Sequence, residues 1–375
     1  MANTNMDLLY PEFWAASFDA LDMGEYQLQN LVSRNVENLV ANAGTKVNVP
    51  IQPDMDAEDW TPGNAITATD IAQTEIEVSL NKSKKRTINL NGTELTKSAY
   101  DLIETYGVPM AKSILVAVNQ EIYKELLAST TILDATAGID EDDIIDAGTK
   151  LSEADVSLVN RVLVGSPAVM GSLMKRDAFQ LVNSTGTNDV MRQGIIARRM
   201  GFDFYANNAM SKYTPSDVAG AVDNGDGYDA GATAMTVDGF DDTTTPIRVG
   251  DVFKITGDAT GFYTITGTTV TGGDTVGLEF SPGLRQDVDD NAVITITPTQ
   301  SVIAMVPSGL AFAARAYAQL PGQAGVSQQI VNVQGLPVRI SVWHDAKLGV
   351  NVQYDILFGS KLVKSGRVVR ILEDL

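Results

Sequence analysis

One histidine limits the acid–base and nucleophilic chemistry that this chain of 375 residues could perform. A Ser–His–Asp triad or a zinc site with several histidines has a single anchor, His344. Asp345 follows it directly, and neighbouring side chains of an extended segment point to opposite faces. The pattern therefore favours a structural role for His344 and predicts no catalytic residue.

Acidic turns form a second group of candidate sites. Asp223, Asp226 and Asp229 lie around Asn224-Gly225, which suggests oxygen ligands for calcium. Their spacing departs from the EF-hand pattern, and the twelfth position counted from Asp223 is Ala234, where a bidentate Glu is required. A plain acidic turn is the favoured interpretation, and calcium binding stays open.

Paired carboxylates occur at Asp142-Asp143 and Asp289-Asp290, but neither pair adjoins an apolar pattern that would raise a carboxyl pKa. We interpret both as solvated loops. Neither a phosphate-binding Gly-x-x-x-x-Gly-Lys-Ser/Thr loop nor a Gly-x-Gly-x-x-Gly turn occurs. The chain has no cysteine, which excludes disulfides and thiolate metal sites. We therefore predict no cofactor, no metal and no enzymatic activity.

The chain as a whole has the composition of an ordinary globular protein, with 44% hydrophobic and 20% charged residues. The length allows about two or three domains, at roughly 150 residues each. A net charge of -20 repels nucleic acid and anionic lipid, so partners are expected to carry basic patches. No signal peptide or membrane-spanning run is found, which predicts a soluble protein that is made in the cytosol.

The first 95 residues change from helical to strand-like spacing. In residues 1–44, Leu28, Leu31, Val32 and other apolar residues predict a short amphipathic helix that ends near Gly44. Residues 45–95 contain two alternating segments separated by a long polar stretch. We expect an extended two-stranded arm there and not a compact sandwich.

Residues 96–134 contain the strongest helical pattern. Ser98-Ala99-Tyr100-Asp101 has the spacing of a helix cap, and apolar residues then recur every three or four positions. Gly107-Val108-Pro109 is expected to kink or split the helix, because proline removes a backbone donor and suits the start of a new helix. We predict a long spine helix from Thr96 to Ala128.

An inserted domain interrupts the second half of the chain. Strands and helices alternate in residues 135–213, which predicts the first part of a mixed α/β domain. Residues 214–300 are rich in Gly and Thr and carry 14 acidic and three basic residues. Their short strands predict a separately folded β-barrel or sandwich.

The mixed domain is expected to resume in residues 301–348. Within it, Leu310 to Leu320 fits either a helix or a buried strand, because it is almost continuously apolar. In residues 349–375, an alternation from Val350 to Phe358 precedes a turn signal at Gly359-Ser360. We predict a closing antiparallel hairpin.

The order of these segments resembles the Hong Kong 97-type capsid fold over nearly the whole chain, an α+β fold with arm, spine helix and mixed axial domain. Three local phrases add to the resemblance and are similar to coat proteins of short-tailed phages with an inserted β domain: Met200-Gly201-Phe202-Asp203-Phe204-Tyr205-Ala206-Asn207, Arg248-Val249-Gly250-Asp251-Val252-Phe253-Lys254-Ile255 and Glu279-Phe280-Ser281-Pro282-Gly283-Leu284.

The resemblance implies a major capsid protein that forms hexamers and pentamers of itself. It also implies a scaffolding partner, a portal protein, in some relatives a decoration protein, and a shell that is assembled in the bacterial cytoplasm and encloses double-stranded DNA. Some relatives crosslink a lysine to an asparagine, but no such pair aligns here. Two alternatives stay open: the shell of an encapsulin-like bacterial compartment, and a phage tail or decoration protein.

Two candidate contact sites follow from charge. The first segment is acidic, and Asp19, Asp22 and Glu25 are predicted to meet basic residues of a scaffolding partner. Lys82, Lys84, Lys85 and Arg86 interrupt an apolar alternation that runs from Ile76 to Leu90. At period two, Lys82, Lys84 and Arg86 share the face of the apolar residues, where a strand covering its own core would not place cations.

Two interpretations of this basic run are possible. A bulge or turn at Asn81 would expose it to water. Alternatively, the arm lies on a neighbouring subunit, where its apolar ends pack and its basic middle meets acids. We predict the second, and assign the four basic residues to a contact between subunits.

Overall fold

The computed structural model describes most of the chain. The residues described are 11–12, 14–15, 26–35, 46–51, 55, 57, 74–90, 102–135, 138–180, 196, 198–210, 218–240, 247–258, 262–272, 275–296, 299–319, 326–344 and 349–374. The α-helices are α1 Val108–Leu126, α2 Glu141–Glu153, α3 Pro167–Met174 and α4 Asp177–Gln180. None of these described helices is long and apolar enough to cross a membrane.

The strands fall into three consecutive groups. The first six are β1 Lys46–Ile51, β2 Thr74–Ser79, β3 Lys82–Leu90, β4 Thr131–Asp134, β5 Arg161–Gly165 and β6 Phe202–Ala206. The next six are β7 Val218–Val222, β8 Ala234–Asp238, β9 Val252–Ile255, β10 Tyr263–Gly272, β11 Thr275–Ser281 and β12 Val293–Ile296. The last six are β13 Thr299–Met305, β14 Leu310–Arg315, β15 Val326–Val333, β16 Leu336–His344, β17 Val350–Leu362 and β18 Val368–Asp374.

These strands build four sheets. The main sheet has the order β14-β17-β16-β15, and β3 pairs with β17. The mixed sheet has the order β4-β18-β13-β5-β6, with two parallel pairs. Strands β7 to β12 close into a barrel, and β1 pairs with β2 as the two-stranded arm. The barrel is the inserted all-β part that the sequence predicts.

Helix α1 lies against the main sheet and forms the largest core with it. Met110, Ile114, Val118 and Ile122 recur every four residues and are almost fully buried. They share one hydrophobic cluster with the inward residues of β16 and β17, such as Tyr354. A single π-helical turn over Ile103–Gly107 precedes α1, which places the irregularity where Pro109 predicts it. The cap predicted at Ser98 lies outside the described residues.

Helix α2 shows that one pair of carboxylates has a structural role. Asp140 accepts a hydrogen bond from the Asp143 amide at 3.0 Å, and Asp143 accepts one from the Asp140 amide at 2.8 Å. This reciprocal pair is a capping box, which satisfies two backbone donors at the helix start. The prediction of a solvated loop at Asp142-Asp143 is therefore wrong, since both residues lie in the first turn of α2.

Arg370 joins the barrel to the rest of the chain. Its side chain is 2% exposed, although it lies in the apolar strand β18. The guanidinium donates to the Leu127 carbonyl at 2.6 Å, just past the end of α1, and to the Gly250 carbonyl of the barrel at 3.0 Å. It also contacts Thr264 of β10 at 3.2 Å and Ser301 of β13 at 2.9 Å. One side chain thereby holds four separate segments.

Two neighbours complete this contact. Gly250 has φ +99, and a Cβ built on it would lie 2.7 Å from Cβ of Leu127, so the barrel approaches the helix end at a position that requires glycine. Burial raises the pKa of Tyr123 to about 12, and its hydroxyl donates to the Ser301 carbonyl at 3.0 Å. The barrel is therefore docked by backbone contact and by buried hydrogen bonds.

The C-terminal turn was predicted too early. Strand β17 continues through Gly359-Ser360 to Leu362, and the chain turns at Ser365–Arg367 before β18 joins the mixed sheet. No hairpin forms between β17 and β18, which lie in different sheets. Glycine is needed at position 359 because a Cβ there would clash with the Ser79 carbonyl of the arm. The signal for a turn was in fact a signal for close packing.

Two other predictions are resolved within the described residues. The segment from Leu310 to Leu320, which fitted either a helix or a buried strand, contains strand β14 over Leu310–Arg315. The amphipathic helix predicted for the first segment does not extend through residues 26–35, where Leu28–Asn30 is one 3-10 turn and Ser33 bridges to Ala311 of β14. Leu28 and Val32 are nevertheless buried in the main core. Their apolar spacing reflects docking onto other elements and not a helix face.

Replacing Arg370 with Met should destabilise the subunit severely. Methionine keeps the apolar stem but leaves the carbonyls of Leu127 and Gly250 without this donor, at about 1 to 3 kcal/mol for each unsatisfied buried group. We expect a large fall in the thermal unfolding midpoint. Arg315→Met, at an exposed end of β14, is the matched control and should change the midpoint little. Equal midpoints for the two variants would contradict a central role for Arg370.

Candidate functional site

The basic run lies on β3, and part of it faces helix α1. Strand β3 pairs with β17 from Lys82 opposite Phe358 to Leu90 opposite Val350. At its two ends, Lys82 and Ile88 are half-buried and Leu90 is 2% exposed. The face that is apolar at the end of β3 is therefore ionic at its start.

Carboxylates of α1 accept these lysines. Lys82 Nζ lies 2.9 Å from Glu125 Oε1 and 3.3 Å from Glu121 Oε2. Lys84 Nζ lies 3.0 Å from Glu121 Oε1, and Lys124 Nζ lies 3.4 Å from the same oxygen. We call Lys82, Lys84, Glu121 and Glu125 the ionic junction. It joins the strand that leaves the two-stranded arm to the spine helix.

Glu121 is the centre of the ionic junction, with 15% of its side chain exposed. Burial by itself raises the pKa of this carboxyl. The hydrogen bond from Lys84 and the charges of Lys124, Lys82 and Lys84 act in the opposite direction and together lower it below its ordinary value. The carboxylate therefore stays charged near neutral pH and stabilises the folded state through these contacts.

The premise of a shared face for the whole alternation is wrong. The chain passes from β2 to β3 at Leu80-Asn81. The β2 segment packs on the face of the main sheet that points away from α1, whereas β3 is itself a strand of that sheet, beside β17. Val78 packs against Ala311 and Leu80 against Ala313, on the outer side of β14. Lys82 and Lys84 point to α1 instead. The physical reason for cations on an inward face is the presence of Glu121 and Glu125, two acids one helical turn apart.

The other predicted contact residues have different positions. Lys85 and Arg86 are exposed on β3, and their backbones pair with Asp355 and Tyr354. They remain candidates for a contact between subunits. Asp19, Asp22 and Glu25, the predicted contacts for a scaffolding partner, lie outside the described residues.

The structure gives local roles to the residues first considered for chemistry. His344 is exposed at the end of β16. In the acidic turn between β7 and β8, the Asn224 side chain donates to the Gly227 carbonyl. The backbone N–H of Asn224 donates to the Asp290 carboxylate at 3.1 Å. Within the described part of the chain, no group of three His, Asp or Glu side chains is arranged to hold a metal.

Asn119 of α1 is a buried site that sequence reasoning missed. The Leu28 amide donates to its side-chain oxygen at 2.9 Å, and its amide group donates to Gln29 at 2.9 Å. The Asn207 side chain donates to the same oxygen at 3.2 Å. Asn119 thus fastens the start of the chain and the loop after β6 to the spine helix. A polar residue on the apolar stripe of a helix was the available signal.

Replacing Glu121 with Gln should remove a pH-dependent part of the stability. Because the folded-state pKa is lowered, the stabilisation by Glu121 is complete above the ordinary value of 4.5 and is lost as the pH falls through the lower folded value. Near pH 7 the variant should therefore unfold at a lower temperature than the wild type, and the difference should shrink below about pH 4.5.

Thermal unfolding between pH 3 and pH 7 is the measurement for this prediction. Glu153→Gln is the control, because Glu153 pairs with Lys150 across an ion pair whose acidic side chain is 59% exposed. This substitution should lower the free energy of unfolding by at most about 1 kcal/mol. If the unfolding temperatures of Glu121→Gln and the wild type differ by the same amount at every pH, the charge of Glu121 is not the cause of the lost stability.

The fold has relatives among solved structures. A structure of Mycobacterium phage Che8 aligns with a TM-score of 0.54 and 15% identity, and the alignment covers 92% of this chain and 89% of that chain. The capsid structure of the cyanophage P-SCSP1u and the asymmetric unit of the bacteriophage PhiM1 mature capsid each give a TM-score of 0.49 and 11% identity. They cover 88% of this chain and 84% and 83% of their own chains.

These alignments concern shape more than sequence. No protein-family model and no curated protein sequence matches the chain. At 15% identity, the alignment with the Che8 structure shows the fold alone, but over nearly the full length of both chains. The prediction of an α+β fold is confirmed, and the chain shares its fold with the structure of Mycobacterium phage Che8.

Proposed function

We propose that this chain is the major capsid protein of a tailed double-stranded DNA phage, and that copies of it form the icosahedral shell around the genome. The observation that carries the proposal is the full-length alignment with the Che8 phage structure, which includes 92% of this chain. An isolated domain shared with an unrelated protein would cover much less.

The charge of the chain suits enclosure better than DNA binding. A net charge of -20 repels phosphates, so the wall would confine DNA without holding it at specific positions. A motor must then drive the DNA into the shell. We propose hexamers and pentamers of this chain as the building units, assembled in the host cytoplasm, with a portal protein and in some shells a decoration protein as further partners.

We also propose a scaffolding protein as a partner of the acidic first segment. Asp19, Asp22 and Glu25 are the proposed contacts, and basic residues of the scaffold would meet them. Binding through such charges becomes weaker as salt screens them.

Expression of the chain with and without the neighbouring phage genes tests the capsid function. We expect closed shells in electron micrographs when the scaffolding gene is present, and fewer or irregular particles without it. Closed shells that form without any phage gene and enclose a cargo protein would contradict the proposal and indicate a bacterial compartment. Tubes or isolated small oligomers under all conditions would contradict any shell function.

Reversing the charge of Lys85 and Arg86 tests the proposed contact between subunits. Both side chains are exposed, so Lys85→Glu with Arg86→Glu should leave the unfolding temperature nearly unchanged. One exposed ion pair contributes only about 0.2 to 1 kcal/mol, but a closed shell repeats it at many interfaces. We expect a soluble subunit that fails to form shells.

A control with the same change in net charge separates this contact from general repulsion. Lys150→Glu with Lys175→Glu alters two exposed lysines at the ends of α2 and α3. Sedimentation and electron microscopy should show shells for this control. Normal shells from the Lys85 and Arg86 variant would rule out the contact.

A further inference from the structure

Two clefts meet at the turn before β18, because Ser308 and Arg367 line both of them. The first cleft, about 330 Å³ in volume, lies between strand β1 of the arm and this turn. The second, about 300 Å³, lies between the turn and residues 155–160, the loop that precedes β5. Ser308 belongs to the 3-10 turn between β13 and β14, and Arg367 ends the 3-10 turn before β18. One arginine therefore faces two clefts.

Arg367 has no acidic partner in the described part of the subunit. The side chain is half-buried, and its Nη1 donates to the Ser308 hydroxyl at 3.2 Å, which uses only one of its N–H donors. Asp155 is the one acid among the described residues that line the clefts, and it forms no ion pair with Arg367. A guanidinium partly withdrawn from water is stabilised most by a carboxylate that accepts two parallel hydrogen bonds. The site therefore suits an anion from outside the subunit.

The turn around Arg367 is basic, although the chain as a whole is acidic. Besides the buried Arg370, three basic residues and no acidic residue occur between Asp355 and Glu373. Lys364, one of the three, also lines the first cleft. The whole chain has 47 acidic and 27 basic residues. A second copy therefore presents mainly carboxylates, and this turn attracts them where most of the surface repels them.

Apolar side chains line both clefts beside the charge. Val49, Ile51 and Val363 contribute to the first cleft, and Val159 and Val306 contribute to the second. An extended peptide matches these walls when an Asp or Glu side chain lies between apolar ones. A DNA backbone offers phosphates without such apolar side chains, and a net charge of -20 repels it. An acidic protein segment is the ligand that the clefts favour.

We propose that the two clefts bind an extended acidic segment of a second copy of this chain, and that a carboxylate of this segment pairs with Arg367. This inference rests on the proposed capsid function. The contact is heterologous, because a basic cleft of one copy receives an acidic surface of the next, and repeated contacts of this kind can close a ring. A contact of this size is a small part of the roughly 1,600 Å² of a typical stable interface. The free subunit is therefore a monomer, and the contact contributes when a shell repeats it.

Zero-length crosslinking tests the contact directly. Arg367→Lys keeps the cation and supplies a primary amine. A carbodiimide activates a carboxylate, the amine nitrogen attacks the activated carbonyl carbon, and an amide forms as the urea and a proton leave. Shells are assembled without DNA from isotope-labelled Arg367→Lys subunits and an excess of unlabelled wild-type subunits. We expect linked peptides in which position 367 is labelled and the joined acid is unlabelled.

Arg315→Lys is the matched control for the crosslink, because Arg315 is exposed at the end of β14 and lines neither cleft. The same treatment should give no linked peptide at position 315. Peptide mapping also identifies which acidic segment of the second copy occupies the clefts.

Reversing the charge tests whether the contact matters for assembly. In Arg367→Glu the side-chain contact that is lost is the one with Ser308, so we expect an unchanged unfolding temperature and a loss of shells in sedimentation and electron microscopy. Arg315→Glu makes the same change in net charge and should form shells. If Arg367→Glu unfolds at a lower temperature, Arg367→Gln removes the charge without reversing it and should still reduce the yield of shells.

The possible results separate the inference from the function on which it rests. Links from position 367 to unlabelled acids of a second copy support the contact. Links only to labelled Asp155 of the same copy, links only to the scaffolding protein, or no links at all would overturn it and leave the capsid function intact. Normal shells from Arg367→Glu would overturn it too, and if those shells package no DNA, the clefts serve the nucleic acid instead. If the wild type forms no shells with its scaffolding partner, the capsid function fails and the inference fails with it.

Discussion

The buried guanidinium of Arg370 is the contact on which the arrangement of this subunit depends. It lies near the C-terminus, yet its hydrogen bonds reach the end of the spine helix, the barrel and the neighbouring strand β13. Each of those acceptors is buried and needs a donor. The final positions of the barrel and the spine helix therefore depend on the last strand of the chain. Gly250 is needed for a steric reason, because a side chain there would separate the barrel from Leu127.

A second layer of contacts attaches the extended parts to this frame. Asn119 fastens the first segment to α1 from one side, and the ionic junction fastens β3 from the other. The two differ in physical character. Asn119 is fully buried and gains from complete hydrogen bonding, whereas the ionic junction is partly hydrated, responds to salt, and responds to pH through the lowered pKa of Glu121. The spine helix thus serves as the common support of the arms.

The distribution of charge divides the molecule into surfaces with different roles. Acids are concentrated on the barrel, where several satisfy backbone amides of the turns, as Asp287 does for Ala230 at 2.9 Å. Cations are concentrated on β3. The strand β15 carries no charge at all. A subunit that repels its copies over most of its surface has few places where contact is favourable, and this restricts the geometries in which copies can meet.

The sequence alone determined the order and type of the main elements. The apolar repeat of α1, the alternation of β17 and the composition of the barrel are local patterns, and each is readable because a helix or strand buries one face. The resemblance to the Hong Kong 97-type fold rested on the order of these segments. The presence of the basic run on β3 and its period of two were also visible.

Tertiary structure alone decided which elements meet. Gly359 looked like a turn because sequence does not reveal that the arm crosses β17 at that residue. Lys82 and Lys84 looked misplaced because their acceptors, Glu121 and Glu125, lie about 40 residues away on α1. Arg370 is a charge within an apolar strand, and its four partners come from segments that are distant in sequence. Long-range hydrogen bonds and ion pairs have no fixed spacing in sequence, so local periodicity does not report them.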